Sequence, residues 1–124
     1  MIDYLTLNDL LEIVEVTGLQ AVRDLGLLDS AAHRPQTSLF GDDAYPTLDE
    51  KAAVLLESIV RNHPLVDGNK RLGWLAVTLF YRRNGKPFHV AHDPAHDLVI
   101  AVSTGQMSHQ ESAARLTAWT STST

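Results

Sequence analysis

The segment LGWLAVTLFY, which spans residues 72–81, limits the fold of this chain more than any other stretch. A helix made of it is apolar on every side, and such a helix is stable in water only when other helices surround it. The run is too short to cross a membrane, which takes about 20 apolar residues. We therefore predict a central helix that starts near Asn69, runs to Asn84 and ends at Gly85.

The length and composition of the chain predict a single domain. Its 124 residues, 44% of them hydrophobic, are enough for one core and too few for two comfortable domains. We place this domain at residues 1–119 and predict a frayed tail at residues 120–124.

The charge balance and the absence of cysteine narrow the classes of function. A net charge of −5, from 15 acidic and 10 basic residues, argues against direct nucleic-acid binding. The sequence contains no cysteine, which excludes disulfides, thiolate metal sites and cysteine nucleophiles. The N-terminal residues lack the features of a secretory signal, so we expect a soluble, cytoplasmic protein with no membrane partner.

Capping patterns predict most of the other helices. Thr6 precedes a helix that ends at Gly18, while Thr47 and Ser108 open capping boxes with a glutamate three residues on. The helix after Thr47 should end near Asn62 because a proline follows, and the helix after Ser108 should run to Trp119. The remaining helix predictions are two short helices, at residues 19–25 and 30–33, and a short buried helix that starts at Asp93 and stops at Gly105. Residues 35–46 are predicted to form a loop that packs through Leu39, Phe40 and Tyr45 or covers a site as a flap. Residues 86–91 are predicted to be an extended piece. No long alternating segment predicts a sheet, so we expect an all-α bundle of about six helices.

The junction RNHPLVDGNKRLGW, residues 61–74, carries more functional groups than a helix connector needs. Backbone N–H groups at a helix N-terminus attract anions, so Gly68, Asn69 and Lys70 are predicted to form an anion cradle. The side chains of Lys70 and Arg71 add two cations that suit phosphate. Either cation taken singly is more simply a surface residue, but unpaired charges beside a buried helix favour a bound anion.

Two further residues of the junction suit phosphate chemistry. Asp67 supplies a hard oxygen ligand where Mg²⁺ bound to phosphates would sit. His63 titrates near neutral pH and is a candidate general base. An Asp-Gly pair is also a common turn, but helical flanks make a hairpin unlikely at this point.

The stretch HPLVDGNKR, residues 63–71, resembles the signature of the Fic/Doc family, and specifically its Doc (death-on-curing) toxin branch. The segments AVRDLGLLDSAAHRPQ, YPTLDEKAAVLLESIVRNH and LFYRRNG are also similar, so the resemblance covers nearly the whole chain and implies the Fic/Doc fold. It implies that His63 is the general base, that Asp67 holds Mg²⁺, and that the backbone of residues 68–70 forms the anion hole. It further implies that Arg71 binds nucleotide phosphate. Arg61 matches an arginine of Doc that could reach phosphate, although a role at the helix end is equally open.

Two positions within this resemblance concern the reaction. Adenylylating members usually have glycine in place of Lys70 and a second arginine in place of Trp74. Doc members instead transfer the γ-phosphoryl group of ATP to a threonine of elongation factor Tu and so arrest translation. The resemblance therefore implies an ATP-dependent kinase-type toxin, with AMP transfer as the alternative.

The resemblance also implies partners and includes one departure. A Phd-like antitoxin, with a disordered tail that folds on binding, and a target translation factor are the implied partners. Leu65 stands where the family usually has phenylalanine, which predicts looser loop packing. This departure is the feature that favours an inactive member that only binds nucleotide or antitoxin.

A second cluster, HVAHDPAHD at residues 89–97, suggests a competing metal-dependent hydrolase. It holds His89, His92 and His96 together with Asp93 and Asp97. A proline interrupts the helical spacing and no complete metal motif is present, so we favour a structural or surface role. We likewise assign Trp74, Phe80 and Trp119 to the core.

Overall fold

Six helices account for most of the structure, a computed structural model that describes residues 1–19 and 21–121. The helices are α1 (Leu7–Thr17), α2 (Leu25–His33), α3 (Leu48–Asn62), α4 (Asn69–Arg83), α5 (His92–Ser103) and α6 (His109–Ser121). A 3-10 turn, Arg34–Gln36, and two short strands, β1 (Ser38–Leu39) and β2 (Asp42–Asp43), lie between α2 and α3. The predicted all-α bundle is confirmed.

Side-chain caps set the helix boundaries where the sequence predicts them. The Thr6 hydroxyl accepts a hydrogen bond from the Asp9 N–H at 3.2 Å, and the Asp9 carboxylate accepts one from the Thr6 N–H at 2.8 Å. Ser108 precedes α6 in the same manner with Glu111. Thr47 caps α3 by accepting the Glu50 N–H, and its hydroxyl donates to the Glu50 carboxylate. Together with the Asp24 cap of α2, local hydrogen bonds thus start four of the six helices.

The most enclosed helix is α3, and the prediction that α4 occupies the centre is wrong. Every residue from Lys51 to Val60 is buried, and α3 packs against α2, α4, α5, α6 and the 3-10 turn. In α4, by contrast, Trp74, Leu75 and Leu79 are only half-buried. The apolar girth of α4 is explained by its packing against α1, α3 and α5 and by the cavity described below.

A close crossing brings α4 against α3. A Cβ on Gly73 would lie 2.8 Å from Val60 Cγ1 and 2.9 Å from Leu56 Cδ1. Real Cβ atoms do not approach other carbons this closely, so only glycine permits the contact. The crossing holds the first turn of α4 against the end of α3, where the predicted site lies.

The short helix predicted at residues 19–25 does not form. Val22 makes an isolated antiparallel bridge with Leu65, and the N–H groups of Arg23 and Asp24 donate to the Pro64 carbonyl. The helix predicted at 30–33 is the end of α2, which the Asp24 carboxylate caps at Leu27 N–H. Hydrogen bonds to a loop some 40 residues away override the local preference of this segment.

The segment 35–46 packs at its ends and exposes its middle. Pro35 is buried, whereas Phe40, at the hairpin tip, is fully exposed. The buried Lys51 ammonium donates to the Asp43 carboxylate at 3.2 Å and to the Tyr45 carbonyl. This lysine anchors the hairpin to α3.

The C-terminal part follows the prediction closely. Residues 86–91 contain no helix or strand, and α5 and α6 lie where the sequence places them. Helix α6 includes Thr120 and Ser121, which we had assigned to a frayed tail, and residues 122–124 lie outside the described part. Within residues 1–19 and 21–121, no helix has the length and apolar character that crossing a membrane requires.

Candidate active site

The predicted base, His63, occupies the C-terminal cap of α3. Its backbone adopts φ 51° and ψ 61°, in the left-handed region, and its side chain is exposed. The following proline cannot continue the helix, so the chain turns sharply at this residue. His63 thereby lies outside the core at the start of residues 63–68, the loop between α3 and α4 that we call the motif loop.

The side chain of Asn69 closes that loop. Its Oδ1 accepts the Leu65 N–H at 2.8 Å, and its Nδ2 donates to the Leu65 carbonyl at 3.1 Å. The same Nδ2 lies 3.4 Å from His63 Nδ1. The buried amide therefore ties the loop, the histidine and the first turn of α4 together.

The start of α4 offers backbone donors to an anion. The first intrahelical bond runs from Leu72 N–H to the Gly68 carbonyl at 2.9 Å, so the N–H groups of residues 69–71 have no partner within the helix. The Gly68 N–H, which we had predicted as part of the cradle, donates to Asp67 Oδ1 at 2.8 Å. With this bond in place, the cradle consists of the next three amides, and the exposed Asp67 carboxylate lies beside it.

Gly68 is required here for two reasons. Its φ of 88° lies in the left-handed region, and a Cβ would come within 2.9 Å of Leu19 Cδ2. Glycine thus permits both the turn into α4 and the close approach of the Leu19 side chain.

A cavity of about 470 Å³ opens next to the first turn of α4. It is lined by Lys70, Arg71, Trp74, Leu75, Val90, His92, Ala95, His96 and Val99. Lys70 and Arg71 are exposed and form no ion pair with any residue that the structure describes. Two unpaired cations at a helix N-terminus make this cavity suitable for a phosphorylated ligand.

Trp74 packs against the edge of the core, as predicted, and also lines the cavity. It is half-buried, and its ring meets Phe88 and Trp119 edge-on at centroid distances of 6.0 and 6.3 Å. These contacts hold the indole in place at the cavity wall. The sequence places it on the turn after Lys70 and Arg71, which is the signal that would have found it.

The histidine-rich cluster contributes to the cavity rather than to a metal centre. His92 and His96 stack with their centroids 5.6 Å apart and their planes at 12°. His92 Nδ1 lies 3.1 Å from the Asp93 carboxylate. No group of three or more metal-ligating side chains occurs in the described part of the chain.

Arg61 points to the other side of α3. Its guanidinium donates to the Val102 carbonyl at 2.8 Å and to the Met107 carbonyl at 3.0 Å, and it lies 3.4 Å from the Glu57 carboxylate. These contacts tie the turn between α5 and α6 to α3. They support the helix-end role that the sequence left open beside phosphate binding.

Sequence comparison agrees with the site geometry. The model of the Fic/DOC family matches residues 3–81, which include α1 to α3, the whole motif loop and all but the last two residues of α4. The chain belongs to the Fic/DOC family. A relative named Toxin Doc, from Mycolicibacterium smegmatis, is 46% identical over 108 residues, which cover 84% of this chain and 83% of the relative. The family signature thus occupies the loop that Asn69 closes and the N-terminus of α4.

Proposed function

We propose that this protein is the toxin of a toxin–antitoxin pair and transfers the γ-phosphoryl group of ATP to a hydroxyl of a translation factor, elongation factor Tu. The observation that carries the proposal is the position of Lys70 and Arg71, which line one cavity at the N-terminus of α4 without ion-pair partners in the described part of the chain. The resemblance to the relative named Toxin Doc supports the toxin role.

The α4 N-terminus is suited to the phosphates of ATP. The amides of residues 69–71 donate to phosphate oxygens, the Arg71 guanidinium binds two oxygens in parallel, and the Lys70 ammonium neutralises developing charge. The Trp74 indole and the imidazoles of His92 and His96 line the same cavity, and aromatic rings of this kind suit stacking on an adenine base. ATP would then bridge α4 and α5.

His63 is assigned the role of base in the transfer. Its imidazole accepts the proton of the target hydroxyl, and the hydroxyl oxygen forms a bond to the γ-phosphorus. The bond from that phosphorus to the β–γ bridging oxygen breaks, and ADP leaves with the bonding electrons. The exposed position of His63 at the end of α3 leaves room for a protein acceptor.

Asp67 is the residue that would hold Mg²⁺. Its carboxylate is exposed, adjoins the amide cradle and keeps one oxygen outside its bond to Gly68 N–H, so the residues present fit the ion. When bound, Mg²⁺ neutralises phosphate charge during transfer.

Lys70 and Trp74 favour phosphoryl transfer over AMP transfer. Adenylylating members have a second arginine at the position of Trp74, and in this structure that position faces the cavity. An indole cannot bind phosphate oxygens as an arginine would, so one contact to the phosphate chain is lost at this position. Lys70 adds a cation at the start of the helix. This combination supports placing the terminal phosphate, rather than the α-phosphate, beside His63.

A groove between α1 and α4 is our candidate for the antitoxin tail. A cavity of about 390 Å³ there is lined by Asp9, Glu12, Ile13, Val16, Thr17, Leu75, Thr78, Leu79, Arg82 and Arg83. Val16 is 78% exposed, which leaves an apolar anchor for a segment that folds into a helix on binding. A Val16→Asp variant should lose antitoxin binding and keep its ATP-dependent activity, as a pull-down and a transfer assay would measure.

The position of the radiolabel tests the reaction. We expect label from [γ-³²P]ATP, and none from [α-³²P]ATP, to appear on purified elongation factor Tu or on a band of a cell extract. His63→Ala should lower transfer by about 10²–10⁴-fold while ATP binding survives. Label from the α-phosphate would replace phosphorylation with AMP transfer, and growth arrest that persists in His63→Ala would separate toxicity from this chemistry.

A further inference from the structure

The backbone of His63 is held in a conformation that it would not keep alone. Non-glycine residues seldom adopt positive φ, and His63 has φ 51° immediately after the last turn of α3. Such a residue persists only where surrounding contacts determine its geometry. The contacts that hold His63 therefore decide where its imidazole points.

Arg23 supplies side-chain contacts to the backbone of this turn, whereas Asn69 Nδ2 lies 3.4 Å from the imidazole. Its Nε donates to the His63 carbonyl at 2.8 Å, and its Nη2 donates to the Asn62 carbonyl at 3.0 Å. One planar guanidinium thus binds two consecutive carbonyls, which fixes the peptide planes on both sides of the His63 Cα. The last carbonyls of a helix have no internal partner, so Arg23 also satisfies groups that α3 leaves open.

Backbone hydrogen bonds of the residues around Arg23 extend these contacts into the motif loop. The N–H groups of Arg23 and Asp24 donate to the Pro64 carbonyl at 2.7 and 3.0 Å, and the Val66 N–H donates to the Ala21 carbonyl at 3.0 Å. Val22 bridges Leu65 between these bonds. Residues 21–24 therefore contact every residue of the loop from Asn62 to Val66.

We infer that Arg23 is a positioning residue for the transfer reaction, which rests on the proposed role of His63 as base. Removal of the guanidinium frees the peptide plane of His63 and lets the imidazole leave the acceptor. The Arg23 side chain hydrogen-bonds to the two carbonyls at the end of α3, and Arg23 does not line the cavity beside Lys70 and Arg71, so we expect ATP binding to be kept. The effect is confined to turnover.

Steady-state kinetics of γ-phosphoryl transfer test this role. We expect Arg23→Ala to lower kcat about 10-fold to 100-fold, as a small misplacement of a catalytic group does, with the KM for ATP within about twofold of the wild type. Arg23→Lys keeps one donor group, so its kcat should lie between those of Arg23→Ala and the wild type. Millimolar methylguanidine should restore part of the activity of Arg23→Ala. Arg115→Ala, which removes an exposed arginine on α6, is the matched control.

A second measurement does not depend on activity. The ¹³C chemical shifts of His63 Cα and Cβ report its backbone conformation, and they should move in Arg23→Ala and Arg23→Lys but not in Arg115→Ala. Wild-type kcat in a folded Arg23→Ala, unchanged His63 shifts, or a loss that lies wholly in the KM for ATP would each overturn the inference. If Arg23→Ala does not fold, an unchanged kcat together with unchanged His63 chemical shifts in Arg23→Lys would also overturn the inference. Failure of the proposed function would appear instead as full transfer by His63→Ala.

Discussion

Leu65 holds the motif loop in place although it is smaller than the phenylalanine that the resemblance leads us to expect. Its side chain is only 1% exposed, its N–H and its carbonyl both bond to Asn69, and its backbone bridges Val22. A side chain buried this completely leaves little free space beneath the loop. These contacts favour an ordered site and weaken the hypothesis of an inactive member.

Asn69 provides the first residue-scale prediction. Asn69→Ala removes both partners of Leu65 inside a buried loop, and unpaired buried backbone groups are costly. We expect the free energy of unfolding in urea to fall by about 1–3 kcal/mol. Asn8→Ala, at an exposed position of α1, should leave it within about 0.5 kcal/mol of the wild type. Equal stability of the two variants would show that the Asn69 amide does not hold the loop.

Individual residues also show which parts of the site the sequence could predict. His63, Lys70 and Arg71 were predicted because the chemistry of each is local and the helix start is visible in the sequence. Arg23 was not, since its partners lie 39 and 40 residues away, and no local pattern indicates that contact.

At the scale of elements, three helix starts were predictable because a side chain caps its own helix, whereas the cap of α2 by Asp24 was missed because residues 19–25 were assigned to a helix. Thr6, Thr47 and Ser108 bond within three residues, so their role can be read locally. The non-helical segment at 21–24 and the identity of the central helix depend on contacts between distant elements, which periodicity does not encode. The apolar residues on all sides of α4 correctly indicated that the helix is packed against others, but part of its surface lines a cavity.

The α3–α4 crossing predicts the effect of a single methyl group. Gly73→Ala should gain about 1 kcal/mol in helix propensity and lose about 1–3 kcal/mol to overpacking against Leu56 and Val60. We expect a net loss of stability, measured by thermal unfolding. In a Val60→Ala background the penalty should shrink because one clash is removed, and a gain of stability in the single variant would contradict the close contact.

An ion pair fastens α1 to the end of α4 and predicts a dependence on pH. Hydrogen bonds from Arg83 at 2.7 and 2.8 Å lower the pKa of Asp9 from 3.8 to about 2. Because the pKa is depressed in the folded state, the stabilisation is complete above pH 3.8 and is lost as the pH falls towards 2.

Arg83→Met tests the pair. At pH 7 we expect a loss of about 0.5–1 kcal/mol in the free energy of unfolding, since the pair is partly exposed. The difference from the wild type should narrow by pH 3 in urea titrations at both values. Arg82→Met, one residue earlier and exposed, is the control. A gap that stays constant between pH 7 and pH 3 would exclude Asp9 as its source.

At the scale of the whole molecule, charge is distributed unevenly. The chain carries a net charge of −5, yet the cavity wall presents Lys70 and Arg71, and the side chains of His92 and His96 on α5 line the same cavity. An acidic protein repels nucleotides over most of its surface, so the cavity is the place where a polyphosphate is attracted. Because the cavity lies between α4 and α5, a ligand bound there contacts both helices where they do not pack directly against each other.

Nucleotide binding should therefore stabilise the whole fold. A ligand that binds only the folded chain at 100 times its Kd adds about 2.7 kcal/mol to the free energy of unfolding. We expect Mg²⁺ and ATP to raise the Tm of the wild type and of Arg115→Ala to the same extent, as scanning calorimetry would measure. In Lys70→Ala/Arg71→Ala the rise should largely disappear, because the amides alone remain to bind the phosphates. A rise of equal size in the double variant would contradict the proposed binding of the nucleotide phosphates by Lys70 and Arg71.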